Sequence, residues 1–271
     1  MEILHHLREL WQYRELVYNL VVRNLKVRYK SSVLGIAWSW LNPLMMMVVY
    51  TIFYTIFMSN TDVPYYPILL LCGLLPWSLF NDSIRQATGS IVGNAHLIKK
   101  VYFPREVLPI STVLSNLVNF LIALPIFFVM ALALGAPLSW WGFLLPVTIL
   151  IQFAFTTGLA LLLATLNVFY RDTQHILGVA MLAWFFLTPV FYPINNVPQE
   201  AKVLGIEFNA QLWLRRLNPM ASIIASYRDL LYRGEPTGLD FLLRTAVTAL
   251  IVFVVGYGIF LRYSPRFGEE V

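Results

Sequence analysis

A chain of 271 residues that is 59% hydrophobic and only 12% charged lies far from ordinary soluble domains, where about 25% of residues are charged. Its apolar residues form continuous runs approaching the ~20 needed to cross a hydrocarbon core, which predicts an all-α, polytopic membrane protein and argues against the alternating ~10-residue segments of a β-barrel. The net charge of +5 informs through its placement, and the single cysteine, Cys72, excludes an intrachain disulfide or a Cys-based metal cluster.

Residues 2–30 read as an amphipathic helix. Arg8, Gln12, Glu15, Asn19, Arg23, Lys26 and Lys30 recur at helical spacing, with Ile3, Leu10, Tyr13, Val17, Leu20 and Val21 opposite. Such a helix suits the membrane interface or packing on another protein surface; it is not a span. Arg8, Glu9, Arg14 and Glu15 stand where a signal peptide would have its apolar core, so the first span is expected to act as its own insertion signal.

Six spans are predicted, over residues 33–58, 65–93, 107–134, 140–169, 176–192 and 241–261. Asn42-Pro43 should kink the first. The second turns polar past Phe80, and Asp82 and Arg85, a helical turn apart, could pair within it. The third carries a polar seam of Ser111, Thr112, Ser115, Asn116 and Asn119, suited to helix contacts or a lumen. Residues 193–240 hold two short amphipathic pieces, Gln199 to Leu204 and Ala210 to Leu217, and a longer one, Met220 to Tyr232. Trp38, Trp40, Trp140 and Trp141 fall near span ends, as an aromatic belt would.

Between the second and third spans lies a basic island, NAHLIKKVYFPREVLP from Asn94 to Pro109. Lys99, Lys100 and Arg105 sit beside His96, with an apolar patch (Leu97, Ile98, Val101, Tyr102, Phe103) too large for a plain linker. This composition predicts a surface helix at 94–106, by which a membrane domain is pushed by a partner. Basic residues flank one side of the spans, whereas the short turns opposite carry none, so the island and both termini are expected in the cytoplasm. The segment 193–240, with acids nearly balancing its Lys202, Arg215, Arg216, Arg228 and Arg233, is placed outside.

Chemistry of the chain's own is hard to find. No G-x-x-x-x-G-K-[ST] run is present for a nucleotide, nor an H-x-x-x-H or H-E-x-x-H pair for a metal. A proton- or sodium-driven carrier would keep carboxylates at the midplane, often in repeated halves. A transferase would cluster acids, His or Arg at one interface. Arg215-Arg216 and Arg228-Asp229 could do this, but no matching base accompanies them. What remains is a membrane domain without catalytic residues, driven by energy from elsewhere.

The runs RNLKVRYKSSVLGIAWSWLNPL, LLLCGLLPWSLFNDSI, NAHLIKKVYFPREVLPIS, LNVFYRD, TPVFYP and LNPM resemble, in order, the permease subunits of type-2 ABC exporters, in particular the branch exporting lipid-linked surface polysaccharides (O-antigen, capsule, wall teichoic acid). The resemblance implies a multi-pass homodimer in the bacterial cytoplasmic membrane, with two separate ATPase subunits that hold ATP and Mg, threading a glycan on an undecaprenyl diphosphate-type lipid outward. No cofactor on this chain and no nucleic-acid partner is implied. It makes Asn94, His96, Leu97, Ile98, Lys99, Lys100, Tyr102, Pro104 and Arg105 the main coupling contact, Tyr170, Arg171 and Asp172 a smaller one, and the short pieces within 193–240 extracytoplasmic gate helices. In that picture Leu97, Ile98 and Tyr102 anchor in a cleft of the ATPase and the charged residues rim it; the cations also hold the loop inside by charge. Arg28 and Lys30, at the cytoplasmic mouth, could meet the lipid diphosphate or anionic membrane lipid. Because sugars stack on aromatic faces, Tyr50, Phe53, Tyr54, Phe57, Trp77, Phe80, Trp184, Phe185 and Tyr192 are candidates to line the glycan channel, although aromatics also fill membrane-protein cores. A stand-alone integral-membrane flippase or transferase on lipid-linked glycans is the alternative of another class.

Overall fold

Apolar runs of this length can satisfy their backbone hydrogen bonds only within themselves, and they do so as helices. The computed structural model describes residues 11–30, 32–57, 63–137, 139–203 and 206–271. Its helices, in chain order, are α1 (Arg14–Tyr29), α2 (Trp38–Phe57), α3 (Tyr66–Thr88), α4 (Ser90–Gly93), α5 (Ala95–Lys100), α6 (Val107–Ala133), α7 (Leu145–Phe169), α8 (Thr173–Phe186), α9 (Ala210–Leu217), α10 (Pro219–Arg228), α11 (Leu239–Tyr263) and α12 (Phe267–Glu270). A small antiparallel hairpin, β1 (Glu200–Val203) and β2 (Ile206–Asn209), pairs Glu200 with Asn209 and Val203 with Ile206. The stretch expected as the first amphipathic piece after Pro193 thus contributes a strand.

Among the described residues, α2, α3, α6, α7 and α11 are long and apolar enough to cross a membrane. The segment expected as a span over 176–192 forms α8, which runs Thr173–Phe186. Its 14 residues reach about 21 Å, short of the ~30 Å hydrocarbon core. Beyond it the chain turns through Thr188 to Pro193 against α3. Gly73 makes that approach possible: a Cβ there would lie 2.3 Å from the Val190 carbonyl oxygen.

Helix α3 is the central post, buried almost throughout and packed by α2, α6, α7, α8 and α10. A buried relay ties three helices, as Tyr227 Oη donates to Gln152 Oε1 at 2.8 Å and Gln152 Nε2 donates to the Pro76 carbonyl at 2.7 Å. Helices α7 and α11 form the most extensive pair. They meet at two glycines, a Cβ on Gly256 falling 2.0 Å from Gly158 O and one on Gly158 falling 2.4 Å from Phe253 Cα. Close backbone approach through small residues is how membrane helices gain packing energy without a hydrophobic driving force.

Helix α1 lies on α6, packed through the bundle's own surface. Leu20 is buried there, and the polar seam of α6 meets the end of α1. Arg28 Nη2 donates to Asn116 Oδ1 and, at 3.0 Å, to Gln86 Oε1; Asn119 Oδ1 accepts from Tyr29 Oη and, at 2.7 Å, from Ser39 Oγ. The part of the predicted amphipathic helix before Trp11 lies outside the described residues. The ion pair expected between Asp82 and Arg85 is not formed: Asp82 accepts from Asn81 Nδ2 at 3.4 Å, and between described residues the ion pair within 4 Å is Arg233–Asp229.

Helix α10, read from sequence as part of a longer amphipathic piece in the outer segment, dips into the bundle between α3, α7 and α11 and is buried on nearly every side. Its serines pair inward, Ser222 Oγ donating to Arg215 O at 2.7 Å and Ser226 Oγ to Ser222 O at 3.2 Å, which lets a polar-looking segment sit at depth.

Candidate functional site

At the basic end of the bundle the chain leaves α3 at Gly89 and forms the short helices α4 and α5 before entering α6. Asn94 joins them: its Nδ2 donates to Ser90 O at 2.8 Å and its Oδ1 accepts from Arg23 Nη2 of α1 at 3.4 Å. On α5, His96, Lys99 and Lys100 are exposed, whereas Leu97 is half-buried. Ile98 points inward and belongs to an apolar cluster with Leu20, Val107, Leu108, Tyr257 and Phe267. It therefore fastens α5 to its own bundle and is not free to anchor in another protein, contrary to the expectation. The free apolar surface is instead Val101 and Tyr102, the latter 94% exposed.

Pro104 and Arg105 open α6, their carbonyls accepting from Val107 N at 3.1 Å and Leu108 N at 3.2 Å. The Arg105 guanidinium donates to the Ser264 carbonyl, just beyond α11. The second predicted contact, the turn at Tyr170 to Asp172, is exposed. Asp172 O accepts from His175 N and Ile176 N, both at 3.0 Å, to start α8, and Arg171 Nη2 donates to Glu270 O of α12 at 3.4 Å. Helix α12 also touches α5, so the chain's last turn lies between the two predicted contact loops.

Sequence reasoning overlooked Glu106. It is buried within the island and accepts from Tyr257 Oη at 3.4 Å. Its position at the junction of a loop and a helix start hides it from a search for acids within spans. A groove of about 620 Å³ lies between α1 and the starts of α4 and α6, lined by Arg23, Arg28, Gln86, Asn94 and Thr112 among others. Arg28 reaches this groove with its guanidinium engaged by Gln86 and Asn116, and Lys30 is exposed nearby in sequence.

The nine candidate aromatics divide sharply. Phe80 is fully buried and Trp77, Phe185 and Tyr54 nearly so; they form core stacks, Trp77–Phe185 at 5.5 Å, Phe80–Trp184 at 5.0 Å and Tyr54–Tyr66 at 3.9 Å between ring centroids. Phe53 and Phe57 stand exposed on α2, stacked at 4.9 Å. Tyr50, Trp184 and Tyr192 are half-buried, and Tyr192 Oη donates to Phe186 O at 2.9 Å.

At the opposite end, a cavity of about 610 Å³ opens between the turn after α8, the end of α10 and the start of α11, lined by Arg215, Arg228, Asp229 and Arg233 with Asn195 and Asn196. Arg228 is only 6% exposed. Its Nη2 donates to Val190 O at 2.8 Å and its Nη1 to Tyr192 O at 3.2 Å. Burial pushes the Asp229 carboxyl above the usual carboxylate range, against the pull of the Arg233 and Arg215 guanidiniums. No group of three or more metal-ligating side chains occurs among the described residues.

These features, a helical membrane bundle with a basic surface helix at one end, agree with comparison to known proteins. The sequence pattern of the ABC-2 type transporter family matches residues 15–232. The chain is 37% identical over 264 residues to the O-antigen export system permease protein RfbA of Myxococcus xanthus, covering 97% of this chain and 98% of that one. It is 34% identical over 250 residues to the RfbA permease of Klebsiella pneumoniae, 91% of each chain. It is also 22% identical over 251 residues to the polysialic acid transport protein KpsM of Escherichia coli, 89% of this chain and 90% of that one. The chain belongs to the ABC-2 type transporter family of membrane permeases.

Proposed function

We infer that this chain is the membrane-spanning permease subunit of an ABC exporter for a surface polysaccharide, O-antigen-like in class. Near-end-to-end similarity to a permease named for O-antigen export carries this reading, and the bundle gives it a mechanism. Export against a gradient needs energy, and the chain has no nucleotide-binding loop of the P-loop type, so ATP and Mg act on a separate ATPase subunit. The surface offered to it is the exposed set His96, Lys99, Lys100, Val101 and Tyr102, with the exposed turn at Tyr170 to Asp172 as a second contact. The basic end faces the cytoplasm, as the distribution of Lys and Arg favours.

Force on α5 passes to α6 by two routes. Pro104 and Arg105 sit in the turn that leads into it, their carbonyls accepting from Val107 N and Leu108 N, and Ile98 shares an apolar cluster with Val107 and Leu108. The bond from Arg105 to Ser264 engages α11 at the same place. In a homodimer, the largely exposed apolar surface of α2, which buries only Ser39, Met47 and Tyr54, would face lipid or the second copy. Of the aromatics, Tyr50, Phe53, Phe57, Trp184 and Tyr192 retain ring surface for a glycan, while Phe80, Trp77, Phe185 and Tyr54 serve packing. The groove beside Arg28 suits an anionic lipid head, such as the diphosphate of an undecaprenyl-type carrier; teichoic acid or capsule polymers would use the same route.

Co-purification tests this reading. Tagged chain extracted from its native membranes should carry ATP hydrolysis, and the double variant Lys99→Glu with Tyr102→Asp should lose most of it while remaining folded. Wild-type chain recovering no ATP-hydrolysing subunit would favour a stand-alone flippase or transferase instead.

A further inference from the structure

We propose that the cavity at the end opposite Lys99, bounded by the turn after α8 and by α10, is a binding site for a phosphate-class oxyanion, with Arg228 at its floor and Arg215 at its rim. The charge inventory carries this first. Of the three guanidiniums lining the cavity, Arg233 is neutralised by Asp229 at 2.9 Å. Arg228 has no carboxylate within 4 Å among the described side chains, and Arg215 stands exposed on the cavity wall. A buried cation without a counter-charge is expensive unless something compensates it.

Arg228 is the more telling of the two. It is more than nine-tenths buried, and two of its nitrogens are spent on the Val190 and Tyr192 carbonyls. Its Nε is buried with no hydrogen-bond partner. Carbonyl dipoles hold the guanidinium in place but leave its net charge, and one donor, unanswered. A phosphate in the cavity supplies the counter-charge and can accept from the hydrogens that Nη1 and Nη2 do not spend on carbonyls, and the planar guanidinium matches phosphate geometry better than an ammonium would. The exposed amide of Asn195 adds a neutral donor among the lining residues, beside Asn196, whose Nδ2 donates to Tyr54 Oη at 3.5 Å. The volume, about 610 Å³, lies within the ~300–1,000 Å³ range of small-ligand sites.

The anion can be the diphosphate head of a lipid or a free phosphate. Assigning it to the exported lipid-linked glycan rests on the export reading; the existence of the site does not. In that role the cavity would receive the head after translocation, with the Arg228 bonds linking occupancy to the turn that packs on Gly73 of α3.

The test is binding to the purified full chain in detergent, using inorganic pyrophosphate and geranylgeranyl diphosphate as probes and geranylgeraniol as the uncharged control. Both diphosphates should bind, salt should weaken them, and the alcohol should not compete. Arg215→Gln, on the exposed rim, should weaken binding about tenfold, and Arg228→Lys, which keeps the charge but not the fork, should weaken it at least as much. Since Arg228 also secures the turn, thermal unfolding of each variant is measured alongside, and Arg215→Gln decides where Arg228→Lys fails to fold. Tighter binding of the polyprenyl diphosphate assigns the site to a lipid head; equal binding assigns it to the free anion. No binding by wild type, or unchanged binding in folded Arg215→Gln, overturns the proposal. Loss of ATPase co-purification would sink the export reading while leaving this measurement untouched.

Discussion

Replacing Gly256 by alanine should damage the bundle out of proportion to the single methyl added. The new Cβ would stand 2.0 Å from Gly158 O and 2.7 Å from Gly158 C, whereas carbon–oxygen contacts settle near ~3.3 Å. Relief requires α7 and α11 to separate locally by about 1.3 Å, because a backbone oxygen has no rotamer to escape into. Overpacking of this kind costs ~1–3 kcal/mol. Gly258, on the same helix, provides the control, since a Cβ there meets nothing within 4 Å. Gly258→Ala should be neutral, or stabilising by at most about 1 kcal/mol through helix propensity. Thermal unfolding in detergent, followed by size-exclusion recovery of the folded chain, compares the two. Equal midpoints, or greater damage from Gly258→Ala, would refute close glycine packing as the basis of this helix pair.

Gly73→Ala should displace the Val190 carbonyl, which its Cβ would approach to 2.3 Å, and lower the unfolding midpoint more than Gly178→Ala in α8, where space is open. Gln152→Leu strands Tyr227 Oη, for about 1–3 kcal/mol, and removes a side-chain donor from the Pro76 carbonyl; Tyr227→Phe alone should cost less, and a double-mutant cycle reads the coupling. Ile98→Ala should lower stability by ~2–5 kcal/mol, whereas Tyr102→Ala should leave the unfolding midpoint unchanged and reduce ATPase recovery. Asn116→Leu removes an acceptor of Arg28 and should loosen α1, detected as faster proteolysis after Arg23 or Lys26.

Composition and the length of the apolar runs were enough to predict a helical membrane domain, because a backbone in hydrocarbon has few ways to satisfy its own polar groups. The bias of Lys and Arg marked out the island at Asn94 to Pro109, and the absence of a nucleotide loop gave that island a reason to exist. Six ordered sequence blocks then carried the family resemblance. Periodicity could not reveal which side of α5 faces inward, since Leu97, Ile98 and Tyr102 look alike as apolar letters; only the packing against Leu20 and Phe267 assigns Ile98 to the core. The same limit applied to Trp77 and Phe80, which resemble channel-lining aromatics in sequence and are core in space. The helical break after Phe186 and the descent of α10 were equally hidden, because each depends on a partner far along the chain: Val190 on Gly73, Tyr227 on Gln152. Sequence determined what the bilayer demands of each segment alone. Tertiary structure decided which side chains meet, and with that where one buried arginine keeps a charge that nothing in the described chain neutralises.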